Sequence, residues 1–446
     1  MPTNLTPPTP LSTERSAHPL IPVLPPLRPN TGGAAAAERL FGLDEVGGDF
    51  VLYVSIPFCR VRCHACPFFI ELLSENDPRA REARYVEALV ADIQRWGRRR
   101  RWQTGRLRAV YIGGGTGSVL TTANLERVVD AITTSFPLAE GCELTLEGNA
   151  RDFTEDKVEY VAGSPINRVS LGVQSFHEDV LRVIGSPHAA EQSARVINRL
   201  NRLGHTNIQL DMMYNLPSHT REVWQSDLRR LAELEVQHFT IYEYRVHHGS
   251  PQHNFIKRGK VPAPLPSGAE QVRAMYDDVV EAARKSGFDM YMIDYFARPG
   301  YESRYNTWMY QKDDVDVLAI GPGAYGYVNR RRYLAHRDVE GYIATVGRGE
   351  HAVDSVADEL TGQERRERYV VGRLMFHSID LADYRRSFGT SFVDDFGALA
   401  GQVVDAGLAT LDERELRLTE SGVGWHRHRI AYGRVAPGVS RVTTSS

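Results

Sequence analysis

Cysteine is scarce in this sequence. Only four occur in 446 residues, and three of them lie between Cys59 and Cys66. Disulfide frameworks need partners spread along the chain and are rare in reducing compartments, so the pattern does not read as a disulfide-stapled fold. Long apolar runs are also missing, and none is long enough to cross a bilayer. No charge of one sign dominates either. The 53 Lys and Arg against 56 Asp and Glu leave a formal net charge of −3. That balance gives no footprint for DNA, RNA or an anionic membrane surface. The N-terminus lacks the basic-then-apolar layout of a secretory signal, so the cytoplasm is the expected location. With 42% hydrophobic residues, a chain of this length buries a large core.

Residues 1–45 are rich in Pro, Thr and Ala and read as a disordered tail, with order expected from near Phe50. Residues 433–446 read as a flexible tail. Between them, β-branched runs at 50–56, 108–112, 143–147, 168–173, 208–214 and 238–242 alternate with helical patterns at 80–101, 122–134, 188–203, 220–235 and 267–286. Repeated strand–helix alternation predicts a parallel sheet with crossover helices, open or closed into a barrel. The pattern divides the chain into a core at 46–350 and an appended domain at 355–432. In the latter, helical stretches precede a small hairpin whose strands flank Asp412–Glu413.

The strongest chemical signal is "SIPFCRVRCHACPFF", a Cys-x3-Cys-x2-Cys loop straight after the first strand. Thiolates are the soft ligands that iron–sulfur clusters take. A four-iron cubane held by Cys59, Cys63 and Cys66 keeps one iron open for a cofactor or substrate. A zinc site with His64 as fourth ligand is the alternative, although structural zinc usually draws on two separated ligand pairs. Cys142 stands alone and reads as a structural thiol. The turn "VYIGGGTGS" permits close backbone approach to a polar ligand. It ends the second strand, at the sheet edge where α/β folds hold ligands. Glu147, Gln174 and Asp211 interrupt three further apolar strands, and together these positions favour one shared pocket.

Together with "LGVQSF", "DMMYNLP", "YESRYNTWMYQ", "VLAIGPGAYG" and "LTGQERRERY", these motifs resemble the radical S-adenosylmethionine (SAM) family of oxygen-independent coproporphyrinogen oxidase. Its relatives include heme chaperones, anaerobic heme-opening enzymes and two-SAM (class C) methyltransferases. The resemblance covers roughly residues 48–430. It implies a partial (β/α)6 TIM-like barrel with a C-terminal mixed helical, winged-helix-like domain. It implies that Cys59, Cys63 and Cys66 hold a [4Fe–4S] cluster whose open iron is chelated by SAM. Tyr53 matches a residue near that cluster. Gly114, Gly115 and Thr116 match the loop bordering two SAM sites, and Glu147, Gln174 and Asp211 match polar contacts to the first SAM.

Departures from the family pattern steer the reading. Ser186 stands where the family often has an arginine that salt-bridges the SAM carboxylate. Pro67 and Phe68 stand where coproporphyrinogen oxidases carry a fourth cysteine, and Tyr305 replaces a histidine typical of heme chaperones. The expected activity is therefore the two-SAM one. The first SAM yields a 5′-deoxyadenosyl radical that activates a second SAM, whose methylene radical adds to an sp2 carbon, giving C-methylation or cyclopropanation of an aromatic or heteroaromatic natural-product intermediate. The alternatives are an anaerobic porphyrin- or heme-processing enzyme and a heme chaperone without catalysis. Glu243 and Tyr244 are the candidate acid–base residues, with Tyr295 and Tyr305 behind them. The expected partners are a small-molecule substrate and a flavodoxin- or ferredoxin-type electron donor, with a monomeric chain and neither nucleic acid nor membrane. The basic run Arg98–Arg101 reads as a helix end complementing the dipole, or as a dock for that donor. His247, His248 and His253 read as surface histidines.

Overall fold

A computed structural model describes residues 27–31, 33–66, 68, 70–73, 78–247, 250–267 and 269–432. Seven parallel strands form its centre: β1 (Phe50–Ile56), β2 (Leu107–Gly114), β3 (Leu138–Asn149), β4 (Arg168–Gln174), β5 (Ile208–Tyr214), β6 (His238–Glu243) and β7 (Asp316–Ile320). They lie in the order β7-β1-β2-β3-β4-β5-β6, each parallel to its neighbours. Antiparallel strands extend both sides. Tyr295–Ala297 and Asp289–Met292 follow β6, and Tyr325–Val328, Arg331–Ala335, Val353–Ala357 and Leu27–Pro29 follow β7. The register fixes which residues share the inner face: Tyr53 opposes Tyr111, and Asp211 opposes both Gly172 and Thr240.

Crossover helices cover the outside because each carries an apolar stripe. Helix Glu270–Lys285 buries Val272, Met275, Val279 and Ala283, a helical spacing. Helix Arg221–Glu233 buries Trp224, Asp227, Leu228 and Leu231 on the same kind of stripe, with a carboxylate standing inside it. Parallel strands covered in this way read as apolar runs. The inner face is polar instead, with Glu143, Thr145, Arg168, Ser170, Gln209, His238 and Thr240 all buried. Much of that polarity holds helix Arg304–Gln311. The Glu143 carboxylate accepts the backbone N–H groups of Arg304 and Tyr305 at 3.0 and 3.1 Å and the Ser303 hydroxyl at 3.3 Å, capping the helix start.

Two expectations about boundaries change. The tail expected to be disordered through residue 45 is ordered from Leu27 within the described residues. Leu27–Pro29 pairs with Val353–Ala357, and helix Gly33–Leu40 leads into Phe41 and Leu43, both essentially fully buried. Burial of those apolar side chains outweighs the Pro- and Ala-rich composition. Residues 1–26 and 433–446 lie outside the described residues. The core also runs past 355, because Val353–Ala357 pairs with Arg331–Ala335 in the large sheet.

The described residues divide into two compact units, one within 27–360 with 375–377 and one holding 361–374 and 378–432. The second unit carries helices Gly362–Leu374, Leu381–Phe388, Phe392–Asp405 and Glu420–Tyr432 and a small antiparallel sheet of Ser378–Asp380, Glu415–Leu418 and Ala409–Leu411. Its hairpin turns where expected. The Asp412 side chain accepts the N–H groups of Arg414 and Glu415, both at 2.8 Å. Among the described residues no helix is long and apolar enough to cross a membrane.

Candidate functional site

The cysteine loop leaves β1 and returns as a two-stranded ladder of Phe58–Cys59 with Glu71–Leu72. Cys59, Cys63 and Cys66 are all partly exposed and unbridged. The Cys59 Sγ lies 3.2 Å from the Thr116 hydroxyl, so the loop touches the glycine turn at the end of β2. That turn needs its glycines. Gly114 sits at φ +113°, and a Cβ at Gly115 would stand 2.7 Å from the Phe58 carbonyl oxygen. Burial pushes the Cys59 thiol up to about 12, with the Thr116 hydrogen bond opposing, and the Cys63 thiol up to about 11. Thiols that resist ionisation alone are deprotonated by a coordinated metal.

Among the described residues no three Cys, His, Asp or Glu side chains converge where a single ion would sit. A four-iron cluster asks for a different arrangement, one thiolate on each of three irons, and this loop supplies that donor set. His64 is not its fourth ligand. Its ring packs edge-to-face on Phe255, with centroids 4.9 Å apart, and a Cβ at Gly185 would stand 2.8 Å from its Nδ1. The histidine is engaged in packing. Cys142 is buried in the core, as a structural thiol should be.

Glu147 stands at the end of β3, beside the turn. Its carboxylate accepts the Gly114 N–H at 3.3 Å, and a Cβ on Gly113 would lie 2.1 Å from its Oε2. Burial first, then the Asp211 charge, pushes this carboxyl up to about 8. Tyr53 and Tyr111 stack beside it with centroids 6.2 Å apart, and Tyr305 lies 5.4 Å from Tyr111. Burial, then the Glu147 charge, holds the Tyr53 phenol well above its ordinary range, and Asp211 adds to the same effect at Tyr111. Carboxyls on β3 and β5 therefore act on one phenol of β2, as a curved sheet requires. Asp211 is fully committed to its neighbours, accepting Ser170, Gln209 and Thr240 at 2.8, 2.6 and 2.6 Å. Gln174 ends β4 in the left-handed region, at φ 62°. Its turn is fixed by the fully buried Asp227, which accepts the Ser175 hydroxyl and the Phe176 N–H, each at 2.7 Å.

Two candidates lie elsewhere. Glu243 shares the pleat face of Phe239 and Ile241, the outer one, because strand side chains alternate. There it accepts the Ser267 hydroxyl and pairs with Arg245 at 3.5 Å. Tyr244 is buried in an apolar cluster with Val180, Leu181, Ile184 and Leu216. Neither joins the Glu147 group as an acid–base residue should. The same alternation turns Tyr242 inward with Thr240, and its hydroxyl lies 3.4 Å from that of Tyr295. The "TIYEY" pattern carried the alternation but not which face is the inner one. Asp227 was also legible, as a carboxylate at an apolar-stripe position of its helix.

Ser186 lies 3.0 Å from His188 Nδ1, which is 2.9 Å from the Asn149 amide nitrogen. The position is thus tied to the end of β3 by neutral groups. The basic run is largely consumed internally. Arg99 pairs with Glu38 and Asp44, and Arg101 pairs with buried Asp316 at 2.6 Å. Ser250 caps the helix that carries His253 by accepting the His253 N–H at 3.1 Å, and His247 is exposed, whereas His248 and Pro67 lie outside the described residues.

Residues 53–231 match the radical SAM superfamily, and the cysteine loop, glycine turn and Glu147 all fall inside that match. The match places a radical SAM domain within the core. Residues 360–425 match the HemN C-terminal domain, and the two matches together support a HemN-like radical SAM family for this chain. The heme chaperone HemW of Lactococcus lactis subsp. lactis (strain IL1403) is 29% identical over 370 residues, covering 83% of this chain and 93% of that protein. The anaerobilin synthase of Escherichia coli O157:H7 is 23% identical over 376 residues, covering 84% and 81%. The solved radical SAM enzyme coproporphyrinogen III oxidase (HemN) of Escherichia coli superposes with a TM-score of 0.75 at 22% identity, covering 89% of this chain and 92% of that one. This likeness establishes the fold, a partial barrel with a C-terminal domain. The family implies a [4Fe–4S] cluster and SAM.

Proposed function

We propose that this protein cleaves SAM reductively and handles a planar tetrapyrrole of the heme or porphyrin class. The observation that carries the SAM half is the contact between Cys59 and Thr116, which joins the three-thiol loop to a glycine turn beside a half-buried, proton-retaining carboxyl. When bound, a [4Fe–4S] cluster supplies the electron for that cleavage. The chain's own residues do the rest. Cys59, Cys63 and Cys66 would hold three irons. Gly113 and Gly115, lacking a Cβ, let Glu147, the Tyr111 ring and the Phe58 carbonyl close against the turn. Glu147 holds a proton at neutral pH and yields it when a cation approaches. Tyr53, Tyr111 and Tyr305 form an aromatic wall on the inner face. The tetrapyrrole half draws on the relatives, whose names include a heme chaperone and a coproporphyrinogen oxidase. These names support heme or porphyrin handling better than they support methylation.

Two-SAM methylene transfer remains the second reading. It draws on Phe68, exposed two residues past the third cysteine where a porphyrinogen oxidase would carry its fourth, and on the neutral surroundings of Ser186. One anaerobic experiment separates the readings: reduced protein with methyl-deuterated SAM and either heme or coproporphyrinogen. Tetrapyrrole-dependent SAM consumption with no label in the product supports the proposal. Tight stoichiometric heme binding without SAM cleavage overturns the SAM half and leaves heme carriage. Failure to bind any tetrapyrrole, or label transferred to a product together with S-adenosylhomocysteine, overturns it.

A further inference from the structure

We infer that the outward face of the cysteine loop, Arg60–Val61–Arg62 together with Leu72, is the docking surface for an acidic protein carrier that delivers one electron at a time. The inference rests on the radical SAM reading above, because such a cluster must be charged from outside.

The three residues between the first two cysteines all face solvent, with Val61 39% exposed. Leu72 is 46% exposed and is paired with Cys59 across the two-stranded ladder. The Arg62 guanidinium donates to the Ile70 carbonyl at 2.9 Å, joining the two edges into one surface. The patch therefore has an apolar centre with cations at its rim, the usual anatomy of an interface. Among the described residues its cations outnumber its carboxylates. Arg60 pairs with Asp152 at 2.7 Å, but that carboxylate is buried, and buried Lys157 adds a second cation beside it by donating to the Asp152 carbonyl. Arg62 forms no ion pair among the described residues. An acidic partner complements such a surface, and opposite charge both steers encounter and fixes orientation.

Position supplies the second argument. Val61 is two residues from Cys59 and two from Cys63, and a residue spans at most about 3.5 Å, so the Val61 backbone on which a partner would seat lies within roughly 7 Å of either ligand's backbone. The transfer is a simple one. The carrier loses one electron, the cluster-loaded protein gains one, and no bond or proton changes place. The basic run at 98–101 is a poorer candidate because Arg99 and Arg101 already form ion pairs within the chain.

The test uses cluster-loaded protein and a purified flavodoxin. Oxidised flavodoxin is titrated against wild type, Arg62→Glu, Val61→Asp and an Arg284→Glu control on the outer helix. SAM cleavage is then driven either by reduced flavodoxin or by dithionite. The expected result is at least about tenfold weaker flavodoxin binding for Arg62→Glu and Val61→Asp, with wild-type affinity falling as salt rises. Iron content and dithionite-driven cleavage should be unchanged, and the control should match wild type. Unaltered binding in both patch variants, or no flavodoxin binding by wild type, overturns the inference. Absence of dithionite-driven cleavage in wild type instead overturns the radical SAM reading, while the binding titration still reports on the surface.

Discussion

Glu147 gives a stability prediction whose sign and size both follow from its surroundings. In the unfolded chain its carboxyl titrates near the ordinary value of 4.5, and in the folded chain near about 8. Between those values the folded state binds more protons than the unfolded state. The contribution of this group is therefore complete below pH 4.5 and is lost as pH rises to about 8. Each pH unit is worth about 1.4 kcal/mol, so the window spans roughly 4–5 kcal/mol. For a core of this size that corresponds to a shift of roughly 5–7 °C in the melting midpoint. Glu147→Gln removes the titration and keeps an oxygen to accept the Gly114 N–H. The assay is the melting midpoint of cluster-free wild type and Glu147→Gln from pH 5 to pH 8. The variant should gain steadily on wild type as pH rises. Parallel midpoint curves across the window would refute the claim that a proton-retaining carboxyl stands there.

The same carboxyl predicts proton release. A SAM sulfonium or amine bound beside Glu147 should expel roughly 0.7 proton at pH 7.5, seen as buffer-dependent heats in calorimetric titration; heats independent of the buffer would argue against that placement. Gly113→Ala would push a methyl to 2.1 Å from Glu147 Oε2 and 2.7 Å from the Tyr111 ring. It should cost about 1–3 kcal/mol of stability and weaken SAM binding, and unchanged values for both would exclude the close approach. Asp227→Asn leaves one oxygen for two donors at the turn after Gln174, and should lower stability by about 2–3 kcal/mol in urea titration.

The sequence made the strands and their ends readable because the parallel strands are covered by helices and so appear as apolar runs. Polar residues at their C-terminal ends then stand out, as Glu147, Gln174 and Asp211 do. The facing of residues near a strand end was harder to read. Glu243 and Tyr242 are adjacent, and only the register with Asp211 and Thr240 decides that the tyrosine faces inward. Long-range pairing was hidden altogether. Nothing near Arg99 or Arg101 in the sequence points to Glu38 or Asp316, and nothing in the Pro-rich start announces that Leu27–Pro29 completes a sheet edge. Glu143 looked like an ordinary strand residue until helix Arg304–Gln311 arrived from 160 residues away to be capped by it. Asp227 was a missed opportunity, since an acid on the buried stripe of a helix needs buried donors, and Ser175 and Phe176 provide them.

The central claim is that Cys59, Cys63 and Cys66 hold a four-iron cluster that drives SAM cleavage. Anaerobic reconstitution, iron counting and 5′-deoxyadenosine assay of wild type and Cys63→Ala test it together. The account predicts about four irons per wild-type chain, 5′-deoxyadenosine on reduction, and a folded Cys63→Ala variant that makes none. A variant that still cleaves SAM, or a wild-type chain that retains a single zinc and takes up no iron, would contradict it.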